Sequence, residues 1–210
     1  MPFKYSCFIS YCHGQGKWIR QFVTKLEEEL VNRLDFYLDE PIFLDNKRLG
    51  PGYQFNEAIP EAICHSICMI VVYVPKYKRK EYCLREFAAM QMIETQRRES
   101  MGGEFPRKYG MIIPIILRGE PDTIPSWISG RYQYVDLSKF ATGTDDIFSA
   151  DETIQEIESI AKTINKIYET FQESQRDPIR ECEEFELPSP GDVTVMLERT
   201  PDSERELPNR

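Results

Sequence analysis

One acidic residue, Glu86, stands where a carboxylate has chemical uses. The apolar run Ile67–Val74 predicts a buried strand, and Lys80–Arg98 predicts the helix that follows it. Ligands of α/β proteins bind beyond the carboxyl ends of parallel strands, so Glu86, near the start of this helix, is a candidate site residue. The alternative is that Glu86 only complements the positive end of the helix dipole.

Cysteines and histidines offer two other kinds of chemistry, and both are disfavoured. Cys83 as a thiol nucleophile is disfavoured because it falls in an apolar and aromatic helix turn, where free cysteines are usually buried. Zinc binding by Cys64, His65 and Cys68 is disfavoured because their spacing matches no usual site, so no metal is expected. The sequence also has no P-loop, HExxH or GxSxG motif.

Five strands and four helices are predicted to position these residues. Short apolar or β-branched runs predict strands at Tyr5–Tyr11, Ile42–Leu44, Ile67–Val74, Met111–Leu117 and Tyr132–Leu137. Helical periodicity covers Lys17–Leu34, Asn56–His65, Lys80–Arg98 and Asp151–Gln172. This alternation predicts an α/β fold, a five-stranded parallel sheet with helices on both faces. Right-handed crossovers favour the flavodoxin-like order 2-1-3-4-5.

That strand order brings distant segments to one crevice. Strands one and three become neighbours, so the loop after Tyr11 and the segment Tyr77–Glu86 face each other. The first loop has two glycines, but Ile19 leaves the dinucleotide fingerprint incomplete, which disfavours a hydride-transferring enzyme. The loop Asp45–Phe55 either places backbone N–H groups and Arg48 near a ligand or is a simple solvent loop.

Two prolines lie inside predicted elements and affect their expected geometry. Pro60 lies inside the second predicted helix, which it either kinks or starts late. Pro114 lies inside the fourth predicted strand, which we therefore expect to be bent or near an edge of the sheet.

Composition narrows the function classes. The chain has 210 residues, a net charge of -9 and a pI of about 4.9, which argues against a general nucleic-acid binder. No apolar run approaches the roughly 20 residues that span a bilayer, so no membrane partner is expected. The N-terminus lacks a signal-peptide core, and the six cysteines form no Cys-x-x-Cys. These features predict a cytoplasmic protein with reduced, mostly buried thiols.

The last part of the chain differs from the rest. Residues 173–210 hold 11 acids, 5 bases and several prolines, which predicts one domain over residues 1–172 and a partly disordered acidic extension. Phe185, Leu187 and Val193–Leu197 are apolar enough to dock on the domain. The extension either binds a sensor or effector protein or only keeps the chain soluble.

Three stretches resemble the TIR (Toll/interleukin-1 receptor) domain family. Phe8–Tyr11, FISY, resembles its box 1, and Leu44–Gly52 resembles its box 2, the BB loop. Ala62–Phe87, with Pro75, Tyr77 and Glu86, resembles the strand and helix that carry the catalytic glutamate of TIR NAD+ hydrolases. The similarity covers roughly residues 3–172 and is greatest to stand-alone bacterial TIR proteins.

The resemblance implies cleavage of the nicotinamide–ribose bond of NAD+, which is a substrate and not a cofactor. The product is either ADP-ribose or a cyclic isomer. A carboxylate at Glu86 would stabilise positive charge on the ribose, as carboxylates do in glycoside hydrolysis. By match to family positions, the residues expected to bind the substrate are Ser10, Tyr11, Asp45, Arg48, Gly52, Tyr82 and Cys83.

The chain departs from the family pattern at three positions. Tyr82 stands where the family often has Trp, Cys12 where it often has Arg, and Lys80 where it commonly has Ser. Tyr82 keeps an aromatic surface for stacking on nicotinamide or ribose. The basic run Lys76–Lys80 either steers an anionic dinucleotide or is a solvated surface.

The resemblance leads to a hypothesis of function with two rivals. The first is a cytoplasmic NAD+ hydrolase or cyclase of bacterial anti-phage immunity, switched on by assembly with itself or with other TIR domains. Its main rival is a non-catalytic TIR adaptor that assembles through the box 2 loop. A secreted effector that mimics host TIR domains is the third possibility. Glu86 with an aromatic residue at position 82 favours the enzyme.

Overall fold

A computed structural model describes residues 3–14, 17–44, 55–102, 105, 108–140, 147–174 and 182–198. Its strands are β1 (Tyr5–Tyr11), β2 (Ser66–Tyr73), β3 (Ile112–Ile116) and β4 (Val135–Asp136). Its α-helices are α1 (Lys17–Leu34), α2 (Phe55–Cys64), α3 (Glu81–Ser100), α4 (Ser126–Ser129), α5 (Asp151–Ser174) and α6 (Pro190–Glu198). Single 3-10 turns occupy Tyr77–Arg79, Pro121–Thr123, Ile147–Ser149 and Cys182–Glu184. Strands and helices alternate, so the predicted α/β class is confirmed.

The sheet has four parallel strands in the order β1-β2-β3-β4. Every residue of β2 is buried, as expected of a strand with helices on both faces. Helix α1 packs against α5, and α2 packs against α3. In the β1-β2 register, Ser10 lies beside Val71 and Tyr11 beside Val72. The carboxyl ends of these two strands therefore meet at one edge.

The five-strand prediction is wrong for the part of the chain described here. The expected second strand is reduced to an isolated parallel bridge between Phe43 and Phe8. Phe43 donates to the Cys7 carbonyl at 2.8 Å, and Ile9 donates to the Phe43 carbonyl at 3.1 Å. Pro41 has no N–H to extend this ladder along β1. The segment thus runs beside β1 without forming a strand.

Pro114 explains why β4 is shorter than the predicted Tyr132–Leu137. Leu117 donates to the Tyr73 carbonyl at 3.0 Å, so the odd-numbered amides of β3 point toward β2. The backbone nitrogen of Pro114 therefore points toward β4 and has no proton to donate. Pairing with β4 begins only at Ile115. In the described part of the sheet only β4 lies outside β3, so Pro114 is near an edge, one of the two alternatives expected.

Pro60 lies inside α2, which is assigned as one uninterrupted helix from Phe55 to Cys64. The late-start alternative is therefore wrong. Among the described helices, none is long and apolar enough to cross a membrane.

The expectation that all cysteines are reduced is wrong at one pair. Cys64, at the end of α2, forms a disulfide with Cys182, and their Cα atoms are 5.5 Å apart. Cys7, Cys12, Cys68 and Cys83 are free and buried, as predicted. The two bonded residues are 118 positions apart, and only the return of the chain to α2 brings them together.

The segment 182–198, here named the C-terminal strap, packs against the domain. Leu187 and Val193 are buried, and Phe185 is partly buried against the core. Helix α6 within the strap contacts α3, the helix that carries Glu86. The apolar residues that were expected to dock are therefore largely those that do, although Val195 is 54% exposed.

Helix α3 is held at its C-terminal half by the buried side chain of Arg97. Its guanidinium donates to the carbonyls of Cys64 at 2.7 Å and Ser66 at 2.8 Å, where α2 turns into β2. Burial lowers the pKa of Arg97 to about 9, although the Cys68 thiol opposes this effect. The contacts fix the distance between α3 and the start of β2 and so help to position the other end of α3.

Candidate functional site

Glu86 lies in the second turn of α3 and points into the protein. Its exposed fraction is 5%, and it shares one buried stripe with Cys83, Phe87 and Met90, at steps of three and four residues. The acidic residue of the first turn is Glu81, and no side chain caps the helix. Glu86 is instead held by β1, so the interpretation as a simple partner of the helix dipole is disfavoured.

The Glu86 carboxylate is bound by the end of β1. Ser10 Oγ donates to Glu86 Oε2 at 2.5 Å, and Ser10 is 1% exposed. Hydrogen bonds of a hydroxyl to a carboxylate are short when the acceptor is charged, and this contact falls in that range. The strand thus fixes the carboxylate in one orientation at the carboxyl edge of the sheet.

A second hydroxyl, that of Tyr77, completes the surroundings of Ser10. Tyr77 Oη lies 2.7 Å from Ser10 Oγ and 3.1 Å from the Cys83 carbonyl oxygen. Tyr77 belongs to the 3-10 turn between β2 and α3 and is fully buried. Burial is the main cause that raises the pKa of Tyr77, and the neighbouring Cys83 and Glu86 raise it further. The residue therefore stays protonated at neutral pH.

Cys83 binds the same strand one residue further along. Its Sγ donates to the Tyr11 carbonyl at 3.7 Å, and the side chain is buried. Burial raises the pKa of the Cys83 thiol strongly, and Glu86 adds to this effect. A thiol with these contacts is a poor nucleophile at neutral pH. Cys83 serves here to attach α3 to β1.

Two aromatic residues expected in the substrate cleft have different settings. Tyr82, four residues before Glu86, is partly buried. Tyr11 is 2% exposed, and its ring stacks on His13 with the ring centroids 4.4 Å apart. Tyr82 therefore has more surface to offer a ligand than Tyr11 has. The remaining expected residues, Asp45, Arg48 and Gly52, lie outside the described residues.

Two lysines, Lys76 and Lys80, lie near the segment that follows β1. A side chain at Gly14 would meet Lys76 Nζ at 3.7 Å, so the ammonium lies close to the backbone after β1. Burial raises the pKa of Cys12, while Lys76 and then Lys80 act against that rise. Within the described ranges, neither lysine makes an ion pair. In the described part of the chain, the two lysines are therefore candidates for contact with an anionic ligand.

No group of three His, Cys, Asp or Glu side chains suited to a metal ion occurs among the residues that the structure describes. Cys64, one of the residues weighed for zinc, is bound in the disulfide. A cleft of about 700 Å³ lies at the opposite, amino edge of the sheet. Its buried carboxylate, Glu94, already accepts hydrogen bonds from Met111, Tyr132 and Arg98. The hydrogen bonds of this carboxylate are thus already made by protein groups.

The structure brings together Glu86, Ser10 and Cys83 from the expected set, and adds Tyr77. Sequence reasoning did not assign a role to Tyr77, although it belongs to the stretch that resembles the catalytic segment of TIR proteins. A tyrosine that follows an apolar strand is hard to distinguish from core aromatics in sequence. Its distance of 67 residues from Ser10 hides their contact.

One family model and several solved structures are similar to the chain. The family model described as the TIR domain matches residues 7–150. The TIR domain of the Toll-related receptor TRR-2 from Hydra magnipapillata is similar in structure, with 20% identity, a TM-score of 0.43, and coverage of 82% of this chain and 99% of that chain. The TIR domains of the activated Roq1 resistosome, which recognises the effector XopQ, also match, with 20% identity, a TM-score of 0.43, and coverage of 79% and 98%.

No curated protein matches the chain. The family model spans β1, the helix with Glu86 and the sheet between them, and it extends over more than half of the 210 residues. The boxes by which the chain resembles TIR domains lie within the matched residues. On this match, the chain belongs to the TIR domain family.

Proposed function

We propose that the protein is an NAD+ nucleosidase with Glu86 as its catalytic carboxylate. The observation that carries the proposal is the buried hydrogen bond of 2.5 Å from Ser10 to Glu86, at the carboxyl edge of the sheet. A structural glutamate on the surface of a helix would need no such partner. A fixed, largely dehydrated carboxylate suits the stabilisation of positive charge, because electrostatic interactions are stronger away from water.

The reaction asks little of the protein beyond this charge. NAD+ and water give ADP-ribose, nicotinamide and a proton. Nicotinamide leaves with the bonding electron pair and becomes neutral, so no strong general acid is needed. The ribose becomes positively charged, and Glu86 stabilises that charge as carboxylates do in glycoside hydrolysis. A ribose hydroxyl as the attacking group would give a cyclic isomer in place of ADP-ribose.

Other residues of the site fit the binding of a dinucleotide. Tyr82 lies one helical turn before Glu86 and offers an aromatic surface to nicotinamide or ribose. Lys76 and Lys80 supply positive charge for the diphosphate, at the place where an Arg after box 1 is missing. The Ser10 hydroxyl is used by Glu86, so we assign Ser10 to the carboxylate and not to direct binding of substrate.

We extend the proposal to the setting of the enzyme. It acts in the cytoplasm in bacterial anti-phage signalling, and assembly with itself or with other TIR domains activates it. A sensor or effector protein is a candidate partner of the C-terminal extension, whereas nucleic acid and membranes are not. Membership of the TIR family supports assembly, because the family includes adaptors as well as NAD+ hydrolases.

A non-catalytic adaptor is the second candidate. The observation in its favour is the exposed apolar surface at the end of α1, where Val31 is 45%, Phe36 84% and Tyr37 40% exposed. Exposed apolar residues that lie close together often mark protein interfaces. The two candidate functions are compatible, because assembly with itself or with other TIR domains is also part of the proposed activation of the enzyme.

NAD+ consumption by the purified chain tests the proposal, at low and high protein concentration. The test variant is Glu86→Gln, which keeps the shape of the side chain. The matched control is Glu81→Gln, which removes an exposed acid from the same helix. We expect nicotinamide release that falls at least roughly a hundredfold in Glu86→Gln, as for the loss of other groups that stabilise transition-state charge, and is unchanged in Glu81→Gln.

Equal thermal unfolding of the two variants would show that the loss is chemical and not structural. Chromatography of the same samples identifies the product. Nicotinamide release that persists in folded Glu86→Gln would contradict the role of Glu86. An absence of release at every concentration, with self-association still observed, would favour the adaptor.

A further inference from the structure

Three buried contacts form one chain around the Glu86 carboxylate. They join Glu86 Oε2 to Ser10 Oγ at 2.5 Å, Ser10 Oγ to Tyr77 Oη at 2.7 Å, and Tyr77 Oη to the Cys83 carbonyl oxygen at 3.1 Å. Ser10 comes from β1, Tyr77 from the 3-10 turn, and the other two from α3. This hydrogen-bond chain therefore joins the three elements that build the site.

The number of protons in this chain depends on Glu86. Each of the three contacts needs one proton, and the carbonyl supplies none. When Glu86 is ionised, Ser10 and Tyr77 supply only two protons. Ser10 donates to Glu86, and Tyr77 donates either to Ser10 or to Cys83, but not to both. When Glu86 is protonated, all three contacts are filled, in the direction from Glu86 through Ser10 and Tyr77 to Cys83.

Other titratable groups lie on each side of this hydrogen-bond chain. The thiols of Cys12 and Cys83 interact with Tyr77, and the Lys80 ammonium acts on Cys83. Burial raises the pKa of Cys83 and of Tyr77. With their pKa values raised, the Cys83 thiol and the Tyr77 hydroxyl stay protonated near neutral pH. The hydroxyl of Tyr77 can therefore change its acceptor while its own proton number stays constant.

We propose that Tyr77 is a positioning residue that acts on Glu86 through Ser10, by turning its hydroxyl from Cys83 toward Ser10 when Glu86 becomes ionised. Tyr77 takes part in two hydrogen bonds, with Ser10 and with the Cys83 carbonyl, when Glu86 is protonated. It takes part in only one of them when Glu86 is ionised. Ser10 does the opposite, because its bond to a charged carboxylate is the stronger one. The role of these residues in catalysis rests on the proposed NAD+ nucleosidase function, whereas their effect on the carboxylate does not.

This bond count gives opposite signs for two variants. Tyr77→Phe removes one more bond from the protonated form, so the pH midpoint of Glu86 ionisation falls by about 0.5 to 1 unit, the equivalent of one net hydrogen bond. Ser10→Ala removes the charge-assisted bond, so the midpoint rises by about 1 unit or more. In a Ser10→Ala background, Tyr77→Phe has no further effect, because Tyr77 acts only through Ser10.

The experiment measures the Glu86 carboxylate directly by infrared difference spectroscopy of the full chain during a pH titration. The spectrum of Glu86→Gln is subtracted to isolate the Glu86 signal. The matched control is Tyr73→Phe. Tyr73 is buried, its ring centroid is 6.2 Å from that of Tyr77, and its hydroxyl has no hydrogen-bond partner in the described part of the chain. We expect Tyr73→Phe to leave the midpoint unchanged.

The result expected is a lower midpoint in Tyr77→Phe, a higher one in Ser10→Ala, and no effect of the second change in the double variant. Equal midpoints in Tyr77→Phe and Tyr73→Phe would overturn the proposal, as would an undiminished Tyr77 effect without Ser10. The infrared result does not depend on turnover. An inactive wild-type chain that shows these midpoints would therefore refute the nucleosidase and leave the hydrogen-bond chain established.

If the nucleosidase is active, kinetics give a second readout. Glu86 acts as an ion, so activity is lost as the pH falls through its midpoint. In the pH profile of kcat, we expect the acid limb to shift to lower pH in Tyr77→Phe and to higher pH in Ser10→Ala. KM for NAD+ should change less than twofold. A purely structural role would change stability and leave the acid limb in place.

Discussion

Arg85, the residue before Glu86, donates a hydrogen bond of 2.8 Å from its Nε to the carbonyl oxygen of Pro188. A second bond, of 3.3 Å, joins its guanidinium to the carbonyl of Leu187. The candidate catalytic helix is therefore in direct contact with the C-terminal strap. The inward side chain at position 86 and the outward one at position 85 connect the site and the strap to the same turn of α3.

Replacement of Arg85 by Ala should loosen the strap. Two backbone carbonyls lose a charged donor, so we expect amide hydrogen exchange in α6 to become about five- to tenfold faster, which corresponds to about 1 kcal/mol. Hydrogen exchange followed by mass spectrometry measures this. Arg79→Ala is the control, because Arg79 is exposed and precedes α3. Equal exchange in both variants would mean that apolar packing alone holds the strap.

The disulfide between Cys64 and Cys182 should contribute more stability than the Arg85 contacts. It closes a long loop, and disulfides typically contribute about 2 to 4 kcal/mol to the free energy of unfolding. We expect urea denaturation of the wild-type chain to shift to lower urea when a reductant is added. The double variant Cys64→Ser, Cys182→Ser should unfold at the lower value with or without reductant. If the oxidised wild type unfolded at the same urea concentration as the double variant, this contribution of the disulfide would be contradicted.

Local patterns predicted most of the fold. The eight buried residues of β2 and the periodic helices α1 and α5 are visible in sequence, because burial on two faces or on one stripe determines residue type directly. The failures are at pairings between segments. The strand expected at Ile42–Leu44 depends on backbone contacts with β1, and the length of β4 depends on the orientation of Pro114 one strand away.

The candidate site was predictable only in part, for a similar reason. Glu86 could be chosen because a strand followed by a helix places that residue at the carboxyl edge. Its binding by Ser10 joins residues 76 positions apart, and no local pattern encodes it. Ser10 was expected to bind substrate, which stays a prediction, and the structure shows it as a hydrogen-bond donor to Glu86. The disulfide was missed because neither cysteine belongs to a recognisable spacing.

Stability at alkaline pH should report the buried thiols. Burial raises the pKa of Cys68 from 9.0 to about 12, although Arg97 acts against this. The unfolded chain releases this proton first, so the stability that Cys68 contributes is complete below about pH 9 and is lost as the pH rises toward 12. Between these values one such group lowers the free energy of unfolding by about 1.4 kcal/mol per pH unit.

Urea denaturation in reductant at several pH values from 7.5 to 11 measures this dependence. We expect Cys68→Ala to be less stable than the wild type at pH 7.5 and to lose less stability above pH 9. Arg97 is common to both proteins. Its lowered pKa makes the unfolded chain keep its proton longer, so its effect on stability has the opposite sign. Because Cys68 opposes the lowering of the Arg97 pKa, loss of Cys68 strengthens this effect and adds to the expected difference. Parallel pH curves for the two proteins would contradict the assignment.

Lys76 provides the test of how the site attracts its substrate. Its ammonium lies beside Gly14, in the loop that follows β1. Such a cation binds the diphosphate of NAD+ equally in the ground state and the transition state, so it affects binding and not the chemical step. We expect Lys76→Ala to raise KM roughly three- to tenfold with kcat unchanged, and Lys76→Arg to restore most of the binding.

Lys78→Ala is the matched control, because Lys78 is an exposed cation two residues away. Steering by net charge alone would affect both alanine variants equally and would disappear at high salt, since exposed charges are screened beyond about 10 Å at 0.1 M. A local contact with the diphosphate would affect Lys76→Ala far more than Lys78→Ala and would keep part of its effect in salt. A fall in kcat with KM unchanged would instead assign Lys76 to the chemical step.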